Sequence, residues 1–150
     1  MYRMIVRRRV RSAFRHLSAG DFAYVLRMFG PRSVFCIPGD HPLGGELRSH
    51  DAVQEYFGRV NRLYPDLRFE SLAIVVSGWP WDTLVGTRLA ISATLPDGRP
   101  YINEGMQFLR LRWGKVVEDR IYEDTLALTA ALDVIAAHGN KEAAAITVPQ

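Results

Sequence analysis

Residues 81–124, WDTLVGTRLAISATLPDGRPYINEGMQFLRLRWGKVVEDRIYED, decide the fold of this 150-residue chain. Two turns divide the stretch, one at Asp97-Gly98 and one at Trp113-Gly114, because glycine tolerates a positive φ and Asp-Gly is typical of tight hairpins. The runs around them are rich in β-branched and aromatic residues, which favour strands. We therefore predict three long antiparallel strands, joined as two hairpins in series, that form a curved sheet with one face for helices to cover.

The segments on either side of this stretch predict the helices. Their apolar residues recur with helical spacing, and Asp21, Ser49 and Asp124 are placed to cap helices that follow them. Gly30-Pro31 is expected to end the second helix, since proline blocks continuation. The other predicted elements are, in order, a helix over 4–17, a helix over 22–29, a strand over 33–37, a loop over 38–45, a helix over 51–63, a strand over 67–77, a turn over 78–82 and a last helix after 124.

Length and composition are those of one globular domain, with 48% hydrophobic and 23% charged residues. We predict a single domain over residues 1–140 and a loosely ordered tail over residues 141–150, which is poor in large apolar groups. No apolar run approaches the ~20 residues of a membrane span, so no membrane contact is expected. The N-terminus lacks the apolar core of a signal peptide, which makes the cytoplasm the expected location.

Six arginines precede the first acidic residue, Asp21, and without them the formal net charge of +3 becomes −3. Four of them recur every four residues between Arg3 and Arg15, which aligns them on one side of a helix. We interpret this side as the solvated face of an amphipathic helix. A nucleic-acid contact is the weaker alternative, because no aromatic residues alternate with the arginines and no second basic patch follows.

The stretch GKVVEDRIYED, residues 114–124, resembles the SnoaL-like branch of the nuclear-transport-factor-2-like superfamily. In that branch a glycine-basic turn leads into a strand that ends in an aromatic residue and an Asp before the last helix. The resemblance extends over residues 5–136. Its other matching residues are Ala19, Gly20, Asp21, Phe22, Met28, Phe29, Gly44, Gly45, Ala52, Val53 and Phe57.

This resemblance implies the α+β class, as a cone-shaped α+β barrel whose strongly curved antiparallel or mixed sheet wraps around a long N-terminal helix. It also implies a pocket at the open end of the cone and a homodimer formed through the outer face of the sheet. The superfamily includes isomerases, cyclases, epoxide hydrolases and pure binding modules, so the fold alone does not fix the function.

Two chemistries of the superfamily lack their residues here. The carboxylate base of ketosteroid isomerases matches Ile37, and the Asp of their oxyanion hole matches Gln107. The Asp–Arg–Asp set of limonene-epoxide hydrolases falls at Ile121, Gly105 and Gln107. We therefore expect neither mechanism. In SnoaL-like polyketide cyclases a pocket Asp is the general acid–base, and the possible counterpart here is Asp119.

Strand alternation places Val117, Asp119, Ile121 and Glu123 on one face of the last strand, and the resemblance to ketosteroid isomerases turns that face inward. A carboxyl group inside an apolar cone is desolvated, which raises its pKa toward the range useful for proton transfer. Two alternatives stay open. Asp119 could form an ion pair with Arg88 or Arg110, or a one-residue slip could turn Arg120 and Tyr122 inward instead.

The remaining site candidates follow from the same cone. Asn103 and Gln107 face inward on the penultimate strand and could orient a ligand carbonyl, while Glu123 is expected near the solvated mouth. His41, in the Pro/Gly loop, is a candidate proton carrier at the pocket rim because its ordinary pKa is near neutrality. Predicted wall residues are Phe35, Ile37, Tyr56, Phe57, Trp81 and Ile121.

The sequence thus supports two functions of different classes. The first is cofactor-free acid–base catalysis, by Asp119 assisted by His41, on a hydrophobic carbonyl or hydroxyl compound. The second is a non-catalytic ligand-binding or dimeric interaction module. No cofactor is expected, and no metal is expected because no His, Cys or acidic cluster has ligand spacing. A cavity that holds Asp119 desolvated and without an arginine partner would favour the enzyme.

Overall fold

A computed structural model describes residues 1–145 of the chain. Within them one six-stranded sheet is covered by helices, so the expected α+β class is confirmed. The elements are α1 Tyr2–Ser18, α2 Phe22–Leu26, β1 Phe29–Ile37, β2 Gly45–Leu47, α3 His50–Leu63, β3 Arg68–Trp79, β4 Asp82–Thr94, β5 Pro100–Arg112, β6 Lys115–Glu123, α4 Thr125–Ala137 and a 3-10 helix Lys141–Ala144.

The sheet is curved and mixed, with strand order β2-β1-β6-β5-β4-β3. Strands β3 to β6 form an antiparallel meander, and β1 pairs with β6 in parallel. The two predicted hairpins are confirmed, with Gly98 at φ 84° and the Trp113-Gly114 turn at φ 50° and 76°. Because Trp79 pairs with Asp82, the predicted aromatic turn at 78–82 is a third hairpin.

The long N-terminal helix α1 packs its apolar side against β3. Val6, Val10 and Phe14 are buried on that side, whereas Arg3 and Arg15, like the arginines between them, are exposed. The predicted amphipathic helix is therefore confirmed. Its burial contributes to the core below the sheet, since fully burying an apolar side chain stabilises a protein by about 1.5–3 kcal/mol.

All three predicted helix caps are present. The Asp21 carboxylate accepts a hydrogen bond from Tyr24 N at 3.2 Å, and the Ser49 hydroxyl accepts one from Ala52 N at 3.1 Å. The Asp124 carboxylate accepts hydrogen bonds from Leu126 N at 3.0 Å and Ala127 N at 3.2 Å, at the start of α4. These side chains satisfy backbone donors that have no partner within the helix.

The predicted end of the second helix is wrong. Helix α2 stops at Leu26, and Gly30-Pro31 lies inside β1, which begins at Phe29. The backbone of β6 pairs with this segment, with Val116 N donating to Met28 O at 2.8 Å. A Cβ on Gly30 would meet Val116 O at 3.1 Å, so glycine allows the close approach of the two strands. Strand pairing thus overrides the local helical spacing. The short strand β2 was not predicted.

The chain continues past residue 140 into the 3-10 helix, where Ala143 is buried. Arg62 Nε donates to Glu142 Oε1 at 2.8 Å, and Arg59 donates to the carbonyls of Glu142 and Ala145, so this helix is held against α3. Of the predicted loose tail, residues 146–150 lie outside the described residues. No helix within residues 1–145 has the length and apolarity needed to cross a bilayer.

Candidate active site

A cavity of about 200 Å³ lies between the inner face of the sheet and helices α1 to α3. Its wall is largely aliphatic and aromatic, as is typical of small-molecule sites. Besides the Ser18 hydroxyl, which is hydrogen-bonded to the Phe69 backbone, three kinds of polar side chain interrupt this wall, namely carboxyl, carboxamide and phenol groups. They belong to Asp119, Glu123, Asn61, Gln107, Tyr56, Tyr64 and Tyr101.

Asp119 lines this cavity from the middle of β6 and is only 6% exposed. Its Oδ1 accepts a hydrogen bond from Gln107 Nε2 at 2.9 Å. Burial raises the pKa of the Asp119 carboxyl to about 7, although the Gln107 hydrogen bond acts in the opposite direction. Both protonation states are therefore populated near neutral pH, which suits a group that accepts and returns protons.

No arginine neutralises Asp119 within the described residues. Arg88 pairs with Glu104 at 3.0 Å, and Arg110 pairs with Asp82 at 2.7 Å, both outside the cavity. The alternative in which Asp119 is half of an ion pair is therefore wrong. Without a cation nearby, the desolvated carboxyl favours its neutral form, which is why its pKa rises.

The predicted inward face of β6 is present with one correction. Asp119, Ile121 and Glu123 line the cavity, but Val116 does so in place of Val117. The register against β5 shifts between Arg110 and Leu111, and this irregularity changes the alternation at the start of β6. Arg120 and Tyr122, the residues of the open alternative, do not line the cavity.

Gln107 positions Asp119 and has bonding capacity left over. Its Nε2 donates to Asp119, while its Oε1 is buried without a hydrogen-bond partner among the described residues. An unpaired buried acceptor is costly, and an amide oxygen on a cavity wall can be satisfied by a donor on a ligand. Gln107 therefore presents an acceptor beside the Asp119 carboxyl.

A second cluster of polar side chains lies around Glu123, four residues after Asp119 on β6. Asn103 Nδ2 donates to Glu123 Oε2 at 3.3 Å, to the Tyr101 hydroxyl at 2.8 Å and to Asp124 O at 3.0 Å. Glu123 was predicted near the solvated mouth, but burial raises the pKa of its carboxyl to about 7, against a lowering by the Tyr101 hydrogen bond. Asn103 itself holds this group together and does not line the cavity.

Five of the predicted wall residues do line the cavity: Phe35, Ile37, Tyr56, Phe57 and Ile121. The Phe35 ring centroid lies 5.0 Å from that of Tyr56 and 5.7 Å from that of Phe57. The sequence missed Tyr64 and Tyr101. Both could have been found from the sequence. Tyr101 is an even number of residues from Asn103 and Gln107, so it shares their face of β5, and Tyr64 follows the apolar side of α3.

Trp81 is not a wall residue, contrary to the prediction. It is 55% exposed at the β3–β4 turn and stacks on Trp79 with centroids 5.8 Å apart. Trp113, at the β5–β6 turn, lies 6.3 Å from Trp81. The tryptophans at the hairpin tips therefore lie outside the cavity wall.

His41 is buried in the loop before β2 and is not among the cavity-lining residues. Its Nδ1 accepts a hydrogen bond from Leu43 N at 3.3 Å, and its Nε2 lies 3.2 Å from Pro38 O. A Cβ on Gly39 would meet the imidazole at 2.6 Å, so the loop closes tightly around the ring. The structure does not bring His41 together with Asp119 in the cavity wall.

The described residues contain no group of three His, Cys, Asp or Glu side chains that could hold a metal ion. Cys36 is a buried free thiol in β1. The chemistry available to the cavity wall is therefore that of carboxyl, carboxamide and phenol groups in an apolar surrounding.

The family model of the SnoaL-like domain matches residues 10–119 of the chain. No curated protein matches this chain in sequence. Three solved structures illustrate the shared fold. PrhC from Penicillium brasilianum has a TM-score of 0.74 and 20% identity, over 90% of this chain and 89% of that chain.

TerC, crystallised with polyporic acid, has a TM-score of 0.71 and 16% identity, over 84% of this chain and 96% of that chain. IdmH from Streptomyces antibioticus, provisionally assigned as a polyketide cyclase, has a TM-score of 0.68 and 22% identity, over 83% of this chain and 96% of that chain. At these identities the likeness shows the fold and leaves the chemistry to the residues of the site.

Proposed function

This chain belongs to the SnoaL-like domain family, and we propose that it binds a hydrophobic carbonyl or hydroxyl compound in the cavity and transfers a proton on it through Asp119. The observation that carries the proposal is the Asp119 carboxyl, which is buried in an apolar cavity beside an amide, with no cation from the described part of the chain next to it. No cofactor is part of the proposed reaction.

The ionised form of Asp119 would act as the base. It removes a proton from a carbon next to a ligand carbonyl, and the electron pair moves onto the carbonyl oxygen to give an enolate. The same carboxyl group, now protonated, returns the proton to a second carbon or to oxygen. A pKa near 7 suits both steps at neutral pH.

Gln107 would position this group and the ligand. Its Nε2 holds one Asp119 oxygen, which leaves the other oxygen for the ligand. Its unpaired Oε1 can accept a hydrogen bond from the enol hydroxyl that forms when the proton is returned to the carbonyl oxygen. In this proposal His41 stabilises the loop before β2 instead of carrying a proton, because both ring nitrogens lie against loop backbone.

The test uses the bicyclic ketone 2-tetralone in D2O, with exchange of its acidic protons for deuterium followed by NMR. We expect the protein to accelerate exchange and Asp119→Asn to lower that acceleration by about 10²–10⁴-fold, with ketone binding retained. Asp133→Asn, the same change on the exposed side of α4, is the matched control.

Two results would overturn the assignment of Asp119. Undiminished exchange in Asp119→Asn would place the base elsewhere. Ketone binding without any accelerated exchange by the native protein would instead support the non-catalytic ligand-binding module.

The same proposal includes a homodimer through the outer face of the sheet. Large apolar side chains are exposed there, including Met106 at 52%, Tyr122 at 50% and Phe108 at 38%. Met106 pairs with Tyr122 across β5 and β6, and Phe108 follows two residues later on the same face, so they form one patch. Contiguous exposed apolar surface of this kind marks an interaction site.

A further inference from the structure

The inner face of the sheet carries the same carboxamide–carboxyl arrangement twice. Gln107 on β5 donates to Asp119 on β6, and Asn103 on β5 donates to Glu123 on β6. In both cases the amide is the diagonal neighbour of the carboxyl, since Leu109 pairs with Asp119 and Gly105 pairs with Glu123. The two pairs are four residues apart on each strand.

Four residues of extended strand separate two Cα atoms by about 13 Å. Between the two pairs lie Ile121, which lines the cavity, and Gly105, which adds no side chain to the inner face. The cavity wall therefore has two polar ends with an apolar middle. Allowing about 2.8 Å for a hydrogen bond at each end, a bound molecule would span roughly 8 Å between its own polar atoms.

The Glu123 end differs from the Asp119 end in its neighbours. The Tyr101 hydroxyl accepts from Asn103 and uses its own proton in the hydrogen bond with Glu123, so its oxygen can still accept from a ligand hydroxyl. Tyr64 stacks on Tyr101 with centroids 5.2 Å apart, and its buried hydroxyl has no partner among the described residues. Phenol and carboxyl groups can both accept and donate hydrogen bonds. This end is therefore built to hold a hydroxyl group.

The volume limits the size of the ligand. The cavity holds about 200 Å³, and an apolar cavity of about 150 Å³ binds benzene. The space suits a compound of about two fused rings more than one of four.

From these observations we propose that the cavity recognises its ligand at both ends: the substrate class is a flat, two-ring compound with a carbonyl at the Asp119–Gln107 end and a hydroxyl at the Glu123–Tyr101 end. This inference rests on the proposed function, because that function assigns the carbonyl to Asp119. Glu123 and Tyr101 are then specificity-determining residues that bind the ligand and leave proton transfer to Asp119.

The test compares 6-hydroxy-2-tetralone with 2-tetralone, which lacks the distant hydroxyl. We expect the hydroxylated ketone to bind about tenfold more tightly to the native protein, since one hydrogen bond to a buried polar group changes affinity by about that factor. Glu123→Leu should remove this advantage, so that the two ketones bind with similar affinity. Asp119→Asn should keep the advantage and lose the proton exchange.

Tyr101→Phe is a second variant at the same end and should reduce the advantage in part, while Glu70→Gln on the exposed side of β3 should have no effect. Thermal unfolding of each variant checks that it folds. If Glu123→Leu does not fold, the Tyr101→Phe result decides whether this end of the cavity binds the hydroxyl group. An advantage that survives both Glu123→Leu and Tyr101→Phe would overturn the proposal. So would an advantage that disappears in Asp119→Asn, or the absence of measurable binding by the hydroxylated ketone.

These outcomes separate the two claims. If exchange depends on Asp119 but the hydroxyl brings no advantage, the two-ended recognition fails and the proposed function stands. If the advantage depends on Glu123 but no exchange occurs, the recognition stands and the proposed catalysis fails.

Discussion

The two faces of the sheet place the same kind of side chain in opposite electrostatic surroundings. On the outer face Glu104 pairs with Arg88 at 3.0 Å, and Glu118 pairs with Arg120 at 2.6 Å. On the inner face the polar partners of Asp119 and Glu123 among residues 1–145 are amide and phenol groups, and burial raises the pKa of each to about 7. Alternation along one strand thus decides whether a carboxyl group is a solvated ion or a proton-active group.

The fold gives up stability on the inner face of the sheet. An outer ion pair in water contributes little, with typical values of 0–1 kcal/mol. An inner carboxyl opposes folding whenever it ionises, because its charge is desolvated without a cation. Unpaired buried carboxyls persist where function needs them, and strongly shifted pKa values cluster at such sites.

The largest expected effect is therefore on the pH dependence of stability. Between about pH 4 and 7 the folded protein holds protons on Asp119 and Glu123 that the unfolded chain has already lost, so the free energy of unfolding falls as pH rises. The contribution is fully present below the unfolded pKa values of 3.8 and 4.5 and is lost as pH passes the folded values near 7. Between pH 5 and 8 each group should cost about 2–3 kcal/mol.

Urea unfolding at pH 5 and pH 8 measures this fall. The double variant Asp119→Asn with Glu123→Gln should lack most of it, and should exceed the native protein in stability at pH 8. The exposed pair Asp133→Asn with Glu70→Gln, which makes the same changes in solvent, should retain the native fall. Equal pH dependence in the inner double variant and the native protein would contradict the difference between the two faces.

The outer face should respond through assembly instead of protonation. Met106→Glu puts a charge in the apolar patch of Met106, Phe108 and Tyr122, where dimerisation would desolvate it. We expect the dimer dissociation constant, measured by analytical ultracentrifugation, to rise by at least tenfold, with 2-tetralone binding intact. Leu126→Glu, on the exposed start of α4, is the control. A native monomer at micromolar concentration, or a dimer unaffected by Met106→Glu, would contradict the proposed interface.

The sequence predicts which face of the sheet a side chain occupies wherever the two-residue alternation of a strand runs without interruption. Residues 103–111 of β5 follow the period without interruption, so the inward positions of Asn103 and Gln107 could be predicted from alternation alone. In β6 the prediction failed at Val117, because the register shift at the hairpin depends on pairing with β5 and leaves no local mark. Asp119 lies beyond the shift and kept its predicted side.

Other misses have the same physical origin in tertiary contacts. Gly30-Pro31 ends helices in general, but here pairing with β6 draws it into a strand. His41 was expected at the pocket rim from its loop, yet the glycines beside it let the loop close around the ring. Arg88 and Arg110 could be named from the sequence as arginines able to pair with a carboxylate. Which carboxylate each one reaches depends on the face of the sheet that it occupies.

The smallest expected effect on the free energy of unfolding is that of removing an ion pair on the outer face of the sheet. Arg88 contacts both carboxylate oxygens of Glu104, at 3.1 and 3.0 Å, but both side chains are more than half exposed. Glu104→Gln should therefore lower the free energy of unfolding by no more than about 1 kcal/mol, equally at pH 5 and pH 8, and less in high salt than in low salt because ions screen exposed charges.

Urea unfolding of Glu104→Gln and Arg88→Met, and of both together, isolates this pair as a double-mutant cycle. A coupling energy within that 1 kcal/mol would place Glu104 among ordinary solvated ions. A larger coupling, or one that is lost as pH falls through 7 because Glu104 takes up a proton, would mean that the outer carboxyls are shielded like the inner ones. Burial by a second subunit is the way such shielding could arise on this face, so running the cycle in Met106→Glu as well shows whether any excess disappears with the dimer.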